Sequence, residues 1–316
     1  MMRRLALLDD YQDVARDCAD WGELAGWEVQ TFRRHVTGRE LVAELQGFAA
    51  VVAMRERTAF DRSLLEELPD LELLVTTGAR NASIDVAAAN DLGITVCGTG
   101  SSPTAAPELT WALLMAAVRD IPGQQEALRE GGWQTGVGTE LAGKTLGILG
   151  LGRIGTRLAA YARVFEMDVL AWSENLTAAR ADAAGARLVD QAGLFAESDI
   201  VAITTRLSDR TRGLVGRAEL EALGPDGLLV NTSRAGIVDT DALIAALEEG
   251  TLGGAALDVY DDEPLQPGHQ LLEAPRALLT PHLGYVTREQ YRIFYQDALE
   301  DVRAWTDGRP VRVLTP

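Results

Sequence analysis

The chain has 316 residues, a length that suits two domains with buried cores of their own. Its composition of 47% hydrophobic and 24% charged residues is close to the globular average, which excludes wholesale disorder and fibrous repeats. The formal net charge of −18 opposes binding to nucleic acid or to an anionic membrane surface, because both ligands need a positively charged protein face.

The cysteine content indicates the cellular compartment. Cys18 and Cys97 are too few for a disulfide framework and are not spaced as metal ligands. We therefore expect a cytoplasmic protein without a bound metal. The apolar run near the first residues is too short for a signal peptide, and no segment approaches the ~20 apolar residues of a membrane span, so no membrane contact is expected.

Short apolar runs alternate with amphipathic segments, an order that predicts parallel sheets covered by helices. In the first cycle the predicted strands are Arg4–Leu8, Glu28–Phe32, Ala49–Ala53, Leu71–Val75 and Ile94–Cys97. In the second cycle they are Thr145–Leu149, Val169–Trp172, Ile200–Thr204, Leu228–Asn231, Gly254–Leu257 and Ala277–Leu279. The fold class expected is α/β, with two Rossmann-like doubly wound domains.

The segments outside these cycles suggest how the domains are connected. Gly98–Pro103 is rich in glycine, serine and proline and indicates a hinge, which an apolar helix over Thr104–Arg119 follows. Glu126–Gly143 has weak periodicity and contains Trp133, so we interpret it as an arm used in subunit contacts. The chain from Val286 onward predicts one helix and a short tail.

A GxGxxG motif follows the first strand of the second cycle and precedes a helical pattern over Arg157–Phe165. The first glycine permits a tight turn, the second lets the backbone approach a pyrophosphate, and the third lets the helix pack closely on the strand. Free amides at the helix N-terminus complete the anion site. The alternative is a chance run of glycines. The cofactor-binding residues predicted here are Gly150, Gly152, Arg153, Ile154 and Gly155.

The position that usually distinguishes NAD from NADP is occupied by an unusual residue. An aspartate or glutamate about 20 residues past the glycine loop commonly binds the adenine ribose of NAD. This chain has Ser173 there, eighteen residues after Gly155. Glu174 is an alternative ribose ligand, and Arg206 is an alternative partner for the 2′-phosphate of NADP. Both NAD and NADP remain open as the cofactor.

Three loops that follow strands of the second cycle carry side chains with complementary chemistry, namely Asn231–Gly236, Leu257–Pro264 and Thr280–Tyr285. In an open parallel sheet such loops meet at the carboxyl edge, where ligands bind. A guanidinium holds a 2-oxo acid by its carboxylate and polarises its carbonyl. An imidazole protonates the carbonyl oxygen, and a nearby carboxylate fixes the imidazole tautomer. Taken singly, the loops also fit an exposed arginine, an acidic turn and a packing histidine.

Four motifs resemble, in order and spacing, those of the D-isomer-specific 2-hydroxyacid dehydrogenases: the glycine loop, NTSRAGIVD, LDVYDDEP and TPHLG. The resemblance covers about Val51 to Tyr285. It implies that Arg234 binds the substrate, that Glu263 is the partner of the histidine and that His282 is the acid/base. It also implies cofactor contacts by Thr205, Thr232, Asp258 and Gly284, with the aspartate on the nicotinamide amide.

The same resemblance suggests substrate contacts in the first cycle. Members of the family place a glycine-rich turn where this chain has Thr77–Asn81, so Ala79 and Arg80 are predicted to contact the substrate. Because Arg80 and Asn81 replace smaller residues, we expect a reshaped pocket. Arg55 matches an arginine that some members direct at the distal group of the substrate, and its alternative role is a solvated surface residue.

The resemblance implies a substrate-binding domain over residues 1–98, an inserted dinucleotide-binding domain over 99–287 and a C-terminal helix over 288–316 that returns to the substrate domain. The expected activity is hydride transfer between NAD(P)H and a 2-oxo acid to give a D-2-hydroxy acid, in a homodimer. Two alternatives stay open. One is a nucleotide-sensing scaffold of the kind used by corepressors of this fold, and the other is oxidation of formate or phosphite at the same site.

Overall fold

The computed structural model describes residues 2–316. They form two compact units, of which the first contains the chain up to Ser102 together with Thr287–Pro316. The second unit is Pro103–Val286. It interrupts the first unit in the sequence, and its bounds differ from the expected domain limits by four residues at one end and one at the other.

The first unit is built on a five-stranded parallel sheet. Its strands are β1 (Arg3–Leu7), β2 (Trp27–Thr31), β3 (Ala50–Ala53), β4 (Leu73–Thr76) and β5 (Thr95–Gly98), in the order β2-β1-β3-β4-β5. Its first four helices are α1 (Ala15–Cys18), α2 (Gly38–Leu45), α3 (Arg62–Glu66) and α4 (Val86–Asp91). The central strands β3 and β4 are buried along their whole length, as expected for a parallel sheet covered on both faces.

The second unit contains a seven-stranded parallel sheet. Its strands are β6 (Thr145–Leu149), β7 (Asp168–Trp172), β8 (Arg187–Leu188), β9 (Ile200–Ile203), β10 (Leu228–Asn231), β11 (Gly254–Leu257) and β12 (Ala277–Leu279). Its helices are α5 (Ala105–Val118), α6 (Ile121–Arg129), α7 (Arg153–Val164), α8 (Ala178–Ala183), α9 (Gln191–Ala196), α10 (Arg217–Leu223) and α11 (Thr240–Glu249). The sheet order β12-β11-β10-β9-β6-β7-β8 reverses between β6 and β9, and such reversal points are where open α/β sheets bind ligands.

The structure confirms the α/β class with two parallel sheets and corrects three local predictions. No strand was predicted at β8, because two residues are too few to show a pattern. The predicted start of the helix after the glycine motif was wrong, since α7 begins at Arg153, inside the motif itself. The predicted arm is also partly helical, because Glu126–Arg129 belongs to α6. Within the described residues, no helix combines the length and apolar character needed to cross a membrane.

The end of the chain forms α12 (Arg288–Thr306) and a tail that pairs with the edge of the first sheet. The Gly98 amide donates to the Arg312 carbonyl oxygen at 3.0 Å, and the Leu314 amide donates to the Val96 carbonyl oxygen at 2.8 Å. These bonds satisfy part of the free edge of β5, which would otherwise be open to another strand.

Arg312 also joins this tail to a buried carboxyl group on α12. Its Nε lies 3.0 Å from Oδ1 of Asp301, whose side chain is fully buried. Burial raises the pKa of Asp301 to about 7 despite the opposing charge of Arg312. The Oδ2 atom has no hydrogen-bond partner. The arrangement therefore stabilises the protonated form of Asp301 at mildly acidic pH.

We expect Asp301 to make the stability depend on pH. Because its folded-state pKa lies above the unfolded value of about 3.9, the free energy of unfolding should fall as the pH rises from about 4 to 7, by up to about 4 kcal/mol. Asp301→Asn should flatten this slope in chemical unfolding measured across that range. Glu300→Gln removes the exposed carboxylate paired with the same arginine and should keep the slope. An equal slope in the Asp301→Asn variant would contradict this account.

Candidate active site

The glycine turn lies at the reversal point of the second sheet and is fixed from both sides. Gly150 has a φ of +103°, and a Cβ at this position would stand 2.6 Å from the Thr205 amide nitrogen. The Gly150 amide donates to the carbonyl oxygen of Trp172, which ends β7, at 2.8 Å. The hydroxyl of Thr204, after β9, donates to the Gly150 carbonyl oxygen at 2.5 Å. Only glycine fits this turn.

The next two glycines provide what a pyrophosphate needs. A Cβ at Gly155 would lie 2.6 Å from the Gly150 carbonyl oxygen, so α7 approaches the turn closely because no side chain intervenes. A Cβ at Gly152 would meet no atom within 4 Å, so this backbone faces open space. Gly152 is the N-cap of α7 and offers no capping side chain to the first amides, those of Arg153 and Ile154. The cradle fits the pyrophosphate of a dinucleotide.

Alanine substitutions should separate the packing role of this turn from its binding role. Gly155→Ala brings a methyl group against backbone and should destabilise the fold by about 1–3 kcal/mol, the usual cost of overpacking. Gly152→Ala meets open space at an ordinary φ, so stability should stay within about 0.5 kcal/mol while dinucleotide affinity falls. Thermal unfolding and equilibrium titration with NADH and NADPH measure the two effects. A strongly destabilised Gly152→Ala variant would contradict the assignment of Gly152 to cofactor binding.

The residues predicted to bind the ribose lie on the loops that flank the turn. Ser173 directly follows β7 and is half-buried. Glu174 is exposed and pairs with Arg210, whose Nη1 is 2.8 Å from Glu174 Oε2. The sequence suggested Arg206 as the cation here. Its side chain is exposed, and its carbonyl oxygen accepts a bond from the Thr211 hydroxyl at 2.6 Å.

The loop after β10 is organised by Asn231, the last residue of that strand. Its Oδ1 accepts the Ser233 amide, and its Nδ2 donates to the Arg234 carbonyl oxygen, each at 3.0 Å. The Arg234 Nη1 donates to the Ser233 carbonyl oxygen at 2.7 Å. The Thr232 hydroxyl lies 2.6 Å from that of Thr110 on α5. Sequence reasoning missed Thr110, because nothing in the chain indicates a contact 122 residues away.

The histidine and the glutamate selected from the sequence form a pair. Nδ1 of His282 lies 2.5 Å from Oε2 of Glu263, and Glu263 Oε1 accepts the Tyr260 amide at 3.0 Å. Because a carboxylate only accepts hydrogen bonds, Nδ1 carries the proton and Nε2 is the ring atom left to exchange one. The two side chains are 22% and 30% exposed, so the pair is open to a ligand. The geometry is that of an oriented acid/base.

The charges around Glu263 keep its carboxylate ionised. Burial alone would raise its pKa, but the hydrogen bond and charge of His282, the Tyr260 amide and the charge of Arg234 together hold the pKa below its usual range. Arg234, in the loop after β10, is one of the charges that act on this carboxylate.

Asp258 anchors the loop that carries His282. Its carboxylate is fully buried and accepts the Thr280 hydroxyl at 2.6 Å, the Leu283 amide at 2.7 Å and the Gly284 amide at 2.8 Å. Burial raises its pKa, against these bonds. These bonds make Asp258 and Gly284 positioning residues for the loop. The contact of Asp258 with a nicotinamide amide stays a prediction.

Two tyrosines that sequence reasoning missed complete the surroundings of the pair. The Tyr260 hydroxyl donates to the Thr280 carbonyl oxygen at 2.9 Å and so ties the glutamate loop to the histidine loop. The Tyr285 ring lies edge-on to His282, with ring centroids 5.3 Å apart. The sequence could have indicated these tyrosines, because Tyr260 lies three residues before Glu263 and Tyr285 lies three residues after His282.

Residues 111–284 match the family model for the NAD binding domain of D-isomer specific 2-hydroxyacid dehydrogenases. The chain belongs to this family. It is 33% identical over 304 residues to D-3-phosphoglycerate dehydrogenase of Archaeoglobus fulgidus, covering 95% of this chain and 57% of the relative. It is 39% identical to glyoxylate reductase of Aeropyrum pernix, with 79% and 77% covered. A crystal structure of phosphoglycerate oxidoreductase from Vibrio cholerae o395 superposes with a TM-score of 0.93 at 40% identity, covering 98% and 100%.

The chain thus spans about half the length of the archaeal D-3-phosphoglycerate dehydrogenase and most of the other two relatives. Its matched region is an NAD binding domain, in agreement with the glycine cradle. The family comprises oxidoreductases, and the second unit carries the histidine–glutamate pair and the arginine to which the resemblance assigns roles.

In the first unit of this family member, the Arg55 side chain lies against the turn after β4. Its backbone has a φ of +52° and donates to the Thr77 hydroxyl at 2.8 Å, while the Asn81 Nδ2 donates to the Arg55 carbonyl oxygen at 2.6 Å. The guanidinium occupies the space of a Cβ at Gly78 and lies 3.2 Å from the Glu56 carboxylate. Arg55 is therefore held in a fixed position and is not a freely solvated residue.

The two residues of this turn that were predicted to contact the substrate, Ala79 and Arg80, are more exposed than Asn81. Ala79 and Arg80 are exposed, which leaves them accessible to a ligand. Asn81 is buried and acts within the turn, since its Oδ1 also accepts the Ser83 amide at 2.8 Å. Of the two larger residues in the turn, Arg80 is thus the one whose side chain is accessible. Its contact with a substrate stays a prediction.

Proposed function

We propose that this protein transfers hydride between NAD(P)H and C2 of a 2-oxo acid, yielding a D-2-hydroxy acid. The observation that carries the proposal is the 2.5 Å pair of His282 and Glu263 with the charge of Arg234 beside it. These residues follow strands of the same sheet as the glycine turn, at the same carboxyl edge. A bound reduced nicotinamide would supply the hydride.

The histidine supplies the proton in this proposal. His282, protonated on both nitrogens, donates the Nε2 proton to the substrate oxygen and keeps the Nδ1 proton on Glu263. The ionised Glu263 stabilises the imidazolium before transfer and holds the ring orientation afterwards. In the reverse direction the neutral imidazole accepts the hydroxyl proton at the same atom. One proton therefore accompanies each hydride.

Arg234 binds the acid in this proposal. Its forked donors match the planar carboxylate and polarise the neighbouring carbonyl. For the first unit we separately propose that Arg55 binds an anionic or polar group, because its guanidinium is fixed against Gly78. The neighbouring Glu56 offsets part of the positive charge of Arg55, so an incoming anion must compete with that carboxylate.

A turnover assay tests the reaction. The purified protein is mixed with glyoxylate, hydroxypyruvate or phenylpyruvate, each with NADH and with NADPH, and the loss of reduced nicotinamide is followed. We expect oxidation of the nicotinamide with at least one acid. Tight dinucleotide binding without turnover on any of them would contradict the proposal and favour the sensing scaffold. Reduction of NAD(P) by formate or phosphite alone would favour the other alternative.

We also propose that two copies associate through the segment after α6. Trp133 is 76% exposed and Val137 is 103% exposed, and large apolar side chains left open in this way commonly mark an interface. Sedimentation should give a dimer, and the double change Trp133→Ser and Val137→Ser should shift it towards the monomer. Leu92→Ser, at an exposed apolar residue of the first unit, is the control. A monomeric unaltered protein would contradict this.

A cytoplasmic location is proposed from the state of the cysteines. Both Cys18 and Cys97 are free. Burial raises the pKa of Cys97 to about 12, so this thiol is unreactive, as a structural cysteine in a reducing compartment would be. Fractionation with an antibody against the chain would test the location.

A further inference from the structure

An ion pair spans the glycine turn of the second unit. Glu174 follows β7 and Arg210 lies on the loop after β9, yet their charged atoms are 2.8 Å apart. The strand between β7 and β9 is β6, which carries the turn. Because adjacent strands are about 4.8 Å apart, β7 and β9 are separated by roughly 10 Å. The two side chains therefore reach across the residues that follow β6.

The ion pair neutralises the carboxylate that lies next to the position expected to bind the ribose. A carboxylate after the second strand favours NAD because it accepts the ribose hydroxyls and repels a 2′-phosphate. Here the residue nearest that position is the neutral Ser173, and the adjacent Glu174 is already compensated by Arg210. The usual electrostatic barrier against a 2′-phosphate is therefore absent among these residues.

The surrounding loops are positive in an otherwise acidic protein. Residues 150–153, 173–176 and 204–213 contain four arginines against two carboxylates, whereas the whole chain carries −18. Arg210 is the cation that the structure directs towards the loop after β7, whereas Arg206 makes no ion pair within residues 2–316. Asp209, the second carboxylate, is exposed and makes no ion pair in the same range. A local excess of positive charge favours the cofactor with the additional phosphate.

We propose that Arg210, together with the Ser173 hydroxyl, recognises the 2′-phosphate and makes NADP(H) the preferred cofactor. Glu174 is the internal counter-ion that keeps Arg210 in place, and the phosphate takes its place as the partner of the guanidinium. The exchange replaces an exposed ion pair with a charge-assisted contact to a dianion. This inference rests on the proposed function, because it assumes that a nicotinamide dinucleotide occupies the cradle.

Equilibrium binding without any 2-oxo acid tests the inference independently of turnover. The full chain is titrated with NADPH, NADH, 2′,5′-ADP and 5′-AMP in a calorimeter. We expect NADPH to bind about 10- to 100-fold more tightly than NADH, and 2′,5′-ADP more tightly than 5′-AMP by a similar factor. Tighter or equal binding of NADH would overturn the inference. Failure of both dinucleotides to bind would overturn the proposed function with it.

Single substitutions test whether Arg210 and Ser173 cause the preference for NADPH. Arg210→Gln should weaken NADPH and 2′,5′-ADP about 10- to 100-fold and leave NADH and 5′-AMP unchanged. Ser173→Asp should reverse the preference towards NADH. The control is Arg187→Gln, which removes the cation of a similar exposed pair with Glu197 at the amino ends of β8 and β9. Equal weakening of both dinucleotides by Arg210→Gln, or no weakening of either, would overturn the role of Arg210.

Discussion

Replacing His282 with asparagine should lower kcat for 2-oxo acid reduction by about 10²–10⁴, the range expected for a lost acid/base. Asparagine keeps an N–H group that is able to donate to Glu263, so the loop has little reason to move. It has no atom that exchanges a proton near neutral pH, so the substrate oxygen must take its proton from water. The affinity for NADPH or NADH should stay within about threefold of that of the unaltered protein, because the glycine turn is untouched.

A second variant separates the roles within the pair. Glu263→Gln keeps a polar partner for Nδ1 but removes the negative charge beside the ring. Turnover should therefore fall, but by less than in the His282→Asn variant, because the ring still exchanges a proton at Nε2. Unchanged turnover in the His282→Asn variant would remove the histidine from its role. Unchanged turnover in the Glu263→Gln variant would reduce the glutamate to a packing residue.

The sequence predicted those parts of the site that depend on local pattern. The glycine spacing fixes the turn at Gly150 because only that residue type tolerates both the positive φ and the approach of Thr205. The histidine and glutamate loops follow adjacent strands, β12 and β11, so parallel pairing brings His282 to Glu263 without further information. The order of the strands therefore accounts for most of the predicted site.

Contacts that depend on side-chain direction were not available from the sequence. The sequence marks Arg206 as a cation near the ribose, a contact that stays a prediction, and it does not indicate the ion pair of Glu174 with Arg210. That pair depends on how the loop folds back on itself, with the Thr211 hydroxyl donating to the Arg206 carbonyl oxygen. The sequence likewise marks Asp258 as a cofactor ligand, which stays a prediction, but it does not indicate the three hydrogen bonds by which this carboxylate holds the histidine loop. Such bonds follow from tertiary packing and not from spacing.

Arg234→Gln should produce the second large loss, a fall of about 10²–10⁴ in kcat/KM for the 2-oxo acid. Two charge-assisted hydrogen bonds to one carboxylate are removed together, so KM should rise. Because the same guanidinium polarises the carbonyl as negative charge develops on its oxygen, kcat should fall as well. Arg234→Lys keeps the charge but loses the forked geometry, and we expect it to recover only part of the activity.

The role of Arg234 is tested by comparing how its loss affects KM for the 2-oxo acid and the affinity for the dinucleotide. If Arg234 holds the acid, its loss raises KM for the 2-oxo acid while calorimetric affinity for the dinucleotide is preserved. Arg217→Gln removes an exposed arginine of the same unit that pairs with Glu249, and both parameters should stay unchanged. A purely structural role predicts the opposite pattern, in which the loop ordered by Asn231 loosens and dinucleotide affinity falls together with kcat/KM. If dinucleotide affinity falls in this way, Arg234 is not the residue that binds the carboxylate of the 2-oxo acid, and the proposed binding mode is wrong.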